Sequence, residues 1–270
     1  MKGIIIRLKK LFIDVPRLAW ALSKNLVHFV KLFFALAYFL ITRQSVFRGE
    51  VMSFNFFFNE TSFALSLYDP VDISALIEIF VLREYDWRLK SSPETILDLG
   101  AHWGDTTLYY KLVYPDAVIM AVEPMPEMYV RLERLKEKYQ NLQVVRAALT
   151  AQGGEVEIYK NDSFLGSSTI HRSGGHAEKV VVPAVTIDQL KEMADVDYFD
   201  LIKFDIEGAE EILFLNQNLK SLAKAYIGEI HLDLINLSLQ QIKDKFSDFD
   251  VSFTKISPTR YIFKAVSLVD

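Results

Sequence analysis

The residues that could do chemistry fall at four places in the 270-residue chain. Asp98, Gly100 and Gly104 stand in Leu97-Asp98-Leu99-Gly100-Ala101-His102-Trp103-Gly104-Asp105. Glu123-Pro124 ends an apolar run 23 positions after Gly100. Lys203, Asp205, Glu207 and Glu210 crowd into eight residues, and Glu229 and His231 flank Ile230. A carboxylate at a strand end after a glycine loop can accept the two hydroxyls of a ribose. An imidazole among carboxylates can move protons near neutral pH or ligate a divalent cation.

These residues need elements to position them. Ile96–Leu99 reads as a short buried strand, and a helix follows over about Thr106–Val113, capped by Asp105 or Thr106. Strand, glycine loop and helix start aim backbone N–H groups and a positive dipole end at a ligand. The spacing Asp-x-Gly-x-x-x-Gly is neither the dinucleotide fingerprint nor a P-loop. It suits S-adenosylmethionine better than a pyrophosphate, which makes Gly100, Ala101, His102 and Gly104 candidate cofactor contacts. Val118–Val122 is the next strand and carries Glu123 and Pro124 at its end. Leu142–Val145 is the third. After it comes Arg146-Ala147-Ala148, where Ala147 is small enough for an adenine ring to lie flat.

Phe199–Phe204 is a further strand, apolar until Lys203, Asp205 and Glu207 gather at its end, with Gly208 for a turn and Glu210 at a helix start. Ala225–Ile230 is another, with Glu229 and His231 projecting to one side at period two. If these strands are neighbours, Asp205, Glu229 and His231 meet in one cleft. Glu155–Tyr159 and Lys179–Val182 also read as strands, and the polar stretch from Ser163 to His176 between them as a mobile loop over the site. Thr186 and Gln189 have capping-box spacing. Leu237–Phe246 reads as a helix, and Asp250–Lys255 with Arg260–Val266 as a terminal antiparallel pair. Strands alternating with helices predict an α/β fold, a mostly parallel sheet covered on both faces.

Composition narrows the partners. A net charge of −5 argues against a nucleic-acid binder. With no cysteine there is no disulfide, thiolate metal site or cysteine nucleophile, which fits a reducing, cytoplasmic compartment. Residues 1–48 differ from the rest, with Lys2, Arg7, Lys9, Lys10, Arg17 and Lys24 against the single acid Asp14. Leu26–Ile41 is almost wholly apolar, with a narrow stripe of Lys24, His28, Lys31, Ala35, Tyr38 and Thr42. It is short for a bilayer span. It describes a helix lying on a membrane surface with basic flanks toward anionic lipid, on the cytoplasmic face; the competing reading is a helix packed on its own domain or a second copy. The predicted organisation is a helical segment over 1–48, a hairpin and helix over 49–92, and the α/β domain over 93–270.

Ile96–Gly104, Glu123-Pro124, Gly166-Ser167-Ser168, Thr186-Ile187-Asp188-Gln189-Leu190, Ile202–Glu210 and Glu229-Ile230-His231 together resemble the FkbM family of S-adenosylmethionine-dependent methyltransferases. The resemblance covers roughly residues 93–266, and Ile202–Glu210 is its most specific part. It implies a class I methyltransferase fold, Rossmann-like, with an antiparallel terminal strand pair, here carrying an N-terminal helical extension. It further implies S-adenosylmethionine as cofactor and O-methylation of a hydroxyl, commonly on a sugar, glycan, glycolipid or polyketide-type acceptor. Asp98 would then hold the cofactor near its methionine end, Glu123 its ribose, and Asp205 would border both cofactor and acceptor. His231 is the preferred base, neutral near its reference pKa of about 6.5 and oriented by Glu229 or Asp205. The rival arrangement has Asp205, Glu229 and His231 binding a divalent cation that acidifies the hydroxyl. The other function classes are an NAD-dependent oxidoreductase, disfavoured by the missing third loop glycine, and a catalytically silent membrane-bound scaffold.

Overall fold

The computed structural model describes residues 8–42, 52–87, 89–160, 178–216 and 218–268. The stretch from Ser163 to His176, with its Gly166-Ser167-Ser168, lies outside the described residues. The chain divides into two compact units, Met1–Asp86 and Trp87–Asp270.

In the first unit, α1 (Val15–Ala21) starts with Pro16 in its first turn, and α2 (Leu26–Thr42) follows. Strands β1 (Met52–Phe58) and β2 (Thr61–Leu67) pair antiparallel as a hairpin. Asn59 and Glu60 both take positive φ, 48° and 65°, which is what a two-residue hairpin turn matched to strand twist requires. Helix α3 (Pro70–Leu76) begins at a capping box made by Asp69 and Asp72. Leu32, Leu36, Phe39 and Leu40 of α2 are buried, and Phe39 meets Phe54 of β1 edge-on with ring centroids 5.6 Å apart. His28 Nε2 lies 2.9 Å from the Asn55 carbonyl oxygen.

The second unit is built on a seven-stranded sheet. In chain order come β3 (Thr95–Leu99), α4 (Asp105–Val113), β4 (Val118–Val122), α5 (Pro126–Lys136) and β5 (Leu142–Val145). After the longer stretch 146–198, described below, β9 (Phe199–Phe204), α7 (Glu210–Phe214), β10 (Ala223–His231), α8 (Leu239–Lys245), β11 (Phe249–Lys255) and β12 (Arg260–Ser267) complete it. The order is β11-β12-β10-β9-β3-β4-β5. Strands β5, β4, β3, β9 and β10 run parallel; β12 is antiparallel to both β10 and β11. Strands β3 and β9 are almost wholly buried, as expected for the inner strands of a parallel sheet. The chain moves outward from β3 to β5 and returns to β9, so the order reverses between β3 and β9. In open α/β sheets that reversal opens a crevice at the carboxyl ends of the strands, where ligands bind.

The strands expected at 155–159 and 179–182 do not join this sheet. They are β7 (Gly154–Lys160) and β8 (Glu178–Val185), and with β6 (Ala148–Leu149) they form a separate three-stranded sheet ordered β6-β8-β7. Helix α6 (Ile187–Ala194) follows and starts at the expected capping box. Thr186 Oγ1 accepts from the Gln189 amide at 3.2 Å, and Gln189 Oε1 accepts from the Thr186 amide at 2.9 Å. On the β10 side the core is aromatic: Phe204, Phe214, Tyr226, Phe246, Phe249 and Phe263 pack largely edge-to-face.

Candidate active site

The glycine loop after β3 is fixed from both sides. The amides of Gly100 and Ala101 each donate to the Val122 carbonyl at 3.0 Å. Gly100 has φ 73°, and a Cβ there would lie 1.9 Å from the Asp205 carbonyl oxygen, so only glycine lets the loop pass the end of β9. Gly104 has φ 96°, with α5 residues Leu132 and Leu135 packed where a side chain would be. His102 also takes a left-handed conformation, φ 52°, and its Nδ1 lies 3.1 Å from Asp105 Oδ2. Burial opposes its protonation, but the Asp105 hydrogen bond and charge together with Glu123 carry its pKa above the ordinary value.

Glu123 stands at the tip of β4 as expected. Its Oε2 accepts from the His102 amide and its Oε1 from the Met125 amide, both at 2.9 Å. The carboxylate is thereby oriented by backbone at the C-terminal sheet edge. Burial raises its pKa to about 7, against the two backbone hydrogen bonds and the nearby His102. Pro124 beside it is half-buried, and Ala147 is buried in the same hydrophobic core as Leu97 and Leu99.

Asp98 is not at the cleft surface. It is 0 % exposed; Oδ2 accepts from Thr107 Oγ1 at 2.6 Å, and Oδ1 pairs with Lys203 Nζ at 3.0 Å. Lys203 in turn donates to the Gly100 carbonyl at 2.8 Å. The charges of Asp98, Asp205 and Asp105 hold the lysine protonated against burial. The sequence placed Asp98 against a ligand; in the structure its two oxygens meet Thr107 and Lys203. With Lys203, which sequence placed among cleft-lining charges, Asp98 forms a buried staple that joins β9 to the glycine loop.

Across the strand reversal lies the second cluster. Strands β9 and β10 are neighbours, so Asp205, Glu229 and His231 do meet. The turn after β9 places Glu207 at φ 49° and Gly208 at φ 105°, a left-handed pair that folds the chain back over the strand end. His231 Nε2 lies 3.4 Å from Glu207 Oε2, 3.6 Å from Glu229 Oε1 and 3.9 Å from Asp205 Oδ1. Its Nδ1 lies 2.7 Å from Glu210 Oε1, and both side chains are 0 % exposed. Glu210 Oε2 accepts from the Gly208 amide at 2.7 Å. Arg260, opposite His231 on β12, donates to Glu229 at 3.1 Å.

Two expectations change here. The residue that orients His231 is Glu210, not Glu229 or Asp205, because the first turn of α7 carries its carboxylate under the ring. And His231 is not neutral with an ordinary pKa. Burial lowers it, but the Glu210 hydrogen bond and the charges of Asp205, Glu210 and Glu207 outweigh burial and raise it to about 9. The Glu210 contact and the neighbouring Asp205 and Glu207 carboxylates thus make the imidazole more basic than a free one. Burial, with the Asp205 charge, lifts Glu229 to about 7, against His231 and Arg260. Sequence reading placed Glu207 with the cluster and took Glu210 for a helix-dipole carboxylate; the signal that it is more was its position, one turn from Glu207 across Gly208.

A parallel sheet with this strand order and a ligand crevice at its reversal defines a class I methyltransferase fold. The FkbM methyltransferase domain model matches residues 98–250, and the chain belongs to that family. Methyltransferase sdnD of Sordaria araneosa is 30 % identical over 165 residues, covering 49 % of this chain and 64 % of that protein. This chain thus spans less than two thirds of that relative. Methyltransferase 1 of Beauveria bassiana is 24 % identical over 199 residues, 66 % of this chain and 76 % of the relative. Among solved structures, a methyltransferase FkbM from Methylobacillus flagellatus aligns over 96 % of this chain and 59 % of its own, at 15 % identity and a TM-score of 0.47.

Proposed function

We propose that the protein transfers a methyl group from S-adenosylmethionine to a hydroxyl of a sugar, glycan, glycolipid or related natural product. The observation that carries this reading is the pairing of two sites across one strand reversal. Glu123 and the Gly100–Gly104 loop form the cofactor half, with backbone amides orienting a carboxylate for the ribose hydroxyls. Asp205, Glu207, Glu229 and His231 form the acceptor half. In the reaction the sulfonium C–S bond breaks as a C–O bond forms, the acceptor oxygen gives up its proton, and the cofactor leaves as a thioether. The protein's work is to hold the two reactants in line and accommodate that proton. Asp98 and Lys203 position the loop.

Glu123→Ala should lower S-adenosylmethionine affinity by about 100-fold, since it removes two charge-assisted hydrogen bonds of roughly 1.5 kcal/mol each. Ribose hydroxyls donate to the ionised carboxylate, so binding favours deprotonation. Affinity should therefore rise about tenfold between pH 6 and pH 8 around a pKa of about 7, and Glu123→Gln should flatten that profile. Calorimetric titration reads both. An alanine variant with wild-type affinity would remove Glu123 from the cofactor site.

The first unit supports attachment to an anionic membrane surface. Among the described residues no helix is long and apolar enough to cross a membrane. One face of α2 is buried in its own unit, while Val27, Val30, Phe34, Tyr38 and Ile41 form an exposed stripe at helical spacing. Lys31 borders the stripe, and Arg17 and Lys24 are exposed nearby in sequence. Full-length protein should sediment with vesicles containing phosphatidylserine and stay in solution with neutral ones. Phe34→Glu should abolish sedimentation. Protein that never sediments would leave the stripe without a membrane role.

A further inference from the structure

We propose that Asp205, Glu207 and His231 form a binding site for one divalent metal ion, placed where the acceptor hydroxyl approaches. Glu210 is the positioning residue that presents His231 to it.

Three observations meet here. First, one ligand atom from each of the three side chains lies within 4.8 Å of the others. Atoms about 2.1 Å from a common octahedral ion lie roughly 3.0 Å apart when adjacent and about 4.2 Å when opposite. The separations from His231 Nε2, 3.4 Å to Glu207 and 3.9 Å to Asp205, fall in that span. Second, His231 is 0 % exposed, and its Nε2 has no hydrogen-bond partner although it faces the carboxylates. A buried polar atom without a partner costs free energy unless something else meets it there. Third, the other ring nitrogen is already committed. Nδ1–H donates to Glu210, and Glu210 is locked by the Gly208 amide. A carboxylate behind a histidine, fixing the tautomer so that Nε2 points outward, is the usual outer shell of a metal-bound imidazole.

Charge agrees. Asp205, Glu207, Glu210 and Glu229 all stand around the one imidazole, a strongly acidic setting for a cation. Glu229, which sequence grouped with the ligands, is the carboxylate tied closest to Arg260, at 3.1 Å against 4.0 Å for Glu207. One imidazole with two carboxylates suits Mn²⁺, Mg²⁺ or Fe²⁺. When bound, the ion would acidify a coordinated acceptor hydroxyl, whose proton then leaves to water. That use rests on the methyl-transfer reading; ion binding itself does not.

The test titrates Mn²⁺ into the full-length protein after chelator treatment, without cofactor or acceptor, reading free Mn²⁺ by electron paramagnetic resonance. One saturable ion per chain is expected. Glu207→Gln and His231→Gln should each weaken it at least tenfold, and Glu210→Gln by ten- to a hundredfold although it touches no ion. Melting curves identify any variant that fails to fold. No saturable Mn²⁺ on the wild-type chain, or a folded Glu207→Gln chain that binds like wild type, would overturn the site. S-adenosylmethionine binding on the same samples separates the two readings. Cofactor without Mn²⁺ defeats the metal site alone, and Mn²⁺ without cofactor defeats the methyl-transfer reading alone.

Discussion

His231→Gln is expected to lower methyl transfer by about 10²–10⁴-fold while S-adenosylmethionine affinity changes by less than about threefold. The size follows from what one proton-handling group contributes to a transfer of this kind. The split between turnover and affinity follows from position. His231 closes β10 on one side of the strand reversal, whereas Glu123 and the glycine loop sit beyond β3 on the other. Glutamine keeps a donor for Glu210, so the buried carboxylate is not stranded. Single-turnover kinetics with saturating cofactor would read the effect. Loss of cofactor affinity in parallel with turnover would show that the two halves are not separate, and undiminished turnover would remove His231 from the reaction.

Lys203→Met should destabilise the protein by about 3–5 kcal/mol, because it leaves the Asp98 carboxylate fully buried without its counter-charge. For a chain of this size that corresponds to a fall in melting temperature on the order of 10 °C. The companion change Asp98→Asn in the same chain should recover much of the loss, since replacing both charges removes the stranded one. Cofactor affinity should drop even in folded Lys203→Met protein, because the Gly100 carbonyl loses its donor and the loop its tether to β9. A double variant no more stable than the single one would show that the pair contributes through packing and not charge.

Much of this was legible in the chain. The apolar run Ile96–Leu99 followed by two glycines, and Phe199–Phe204 ending in charge, are strands buried on both faces; continuous hydrophobicity at that length admits little else. Thr186 and Gln189 announced a helix start, since a capping box is satisfied within four residues. Glu123 was placed at the strand tip by the same local logic, but the backbone amides of His102 and Met125 that orient its carboxylate came only with the fold. In β7 and β8 the sequence showed strands but not which sheet they join, because alternation fixes a face and not a partner.

Other features came only with the tertiary structure. Asp98 and Lys203 lie 105 positions apart in sequence, and their pairing depends on β3 and β9 lying side by side. No local pattern distinguishes an inward lysine from one lining a cleft. The same holds for α2, whose apolar circumference is compatible with both packing and an open stripe until the hairpin covers one face. His231 shows the division most clearly. Its residue type and its place beside Glu229 on one strand marked it as chemically useful. Its raised basicity comes from Glu210, Asp205 and Glu207, which reach it from the end of β9, a left-handed turn and a short helix. The sequence by itself determined the sheet-forming segments and the residue types at their ends. The fold decided which of those residues face one another, because protonation and pairing depend on distances across strands that are remote along the chain.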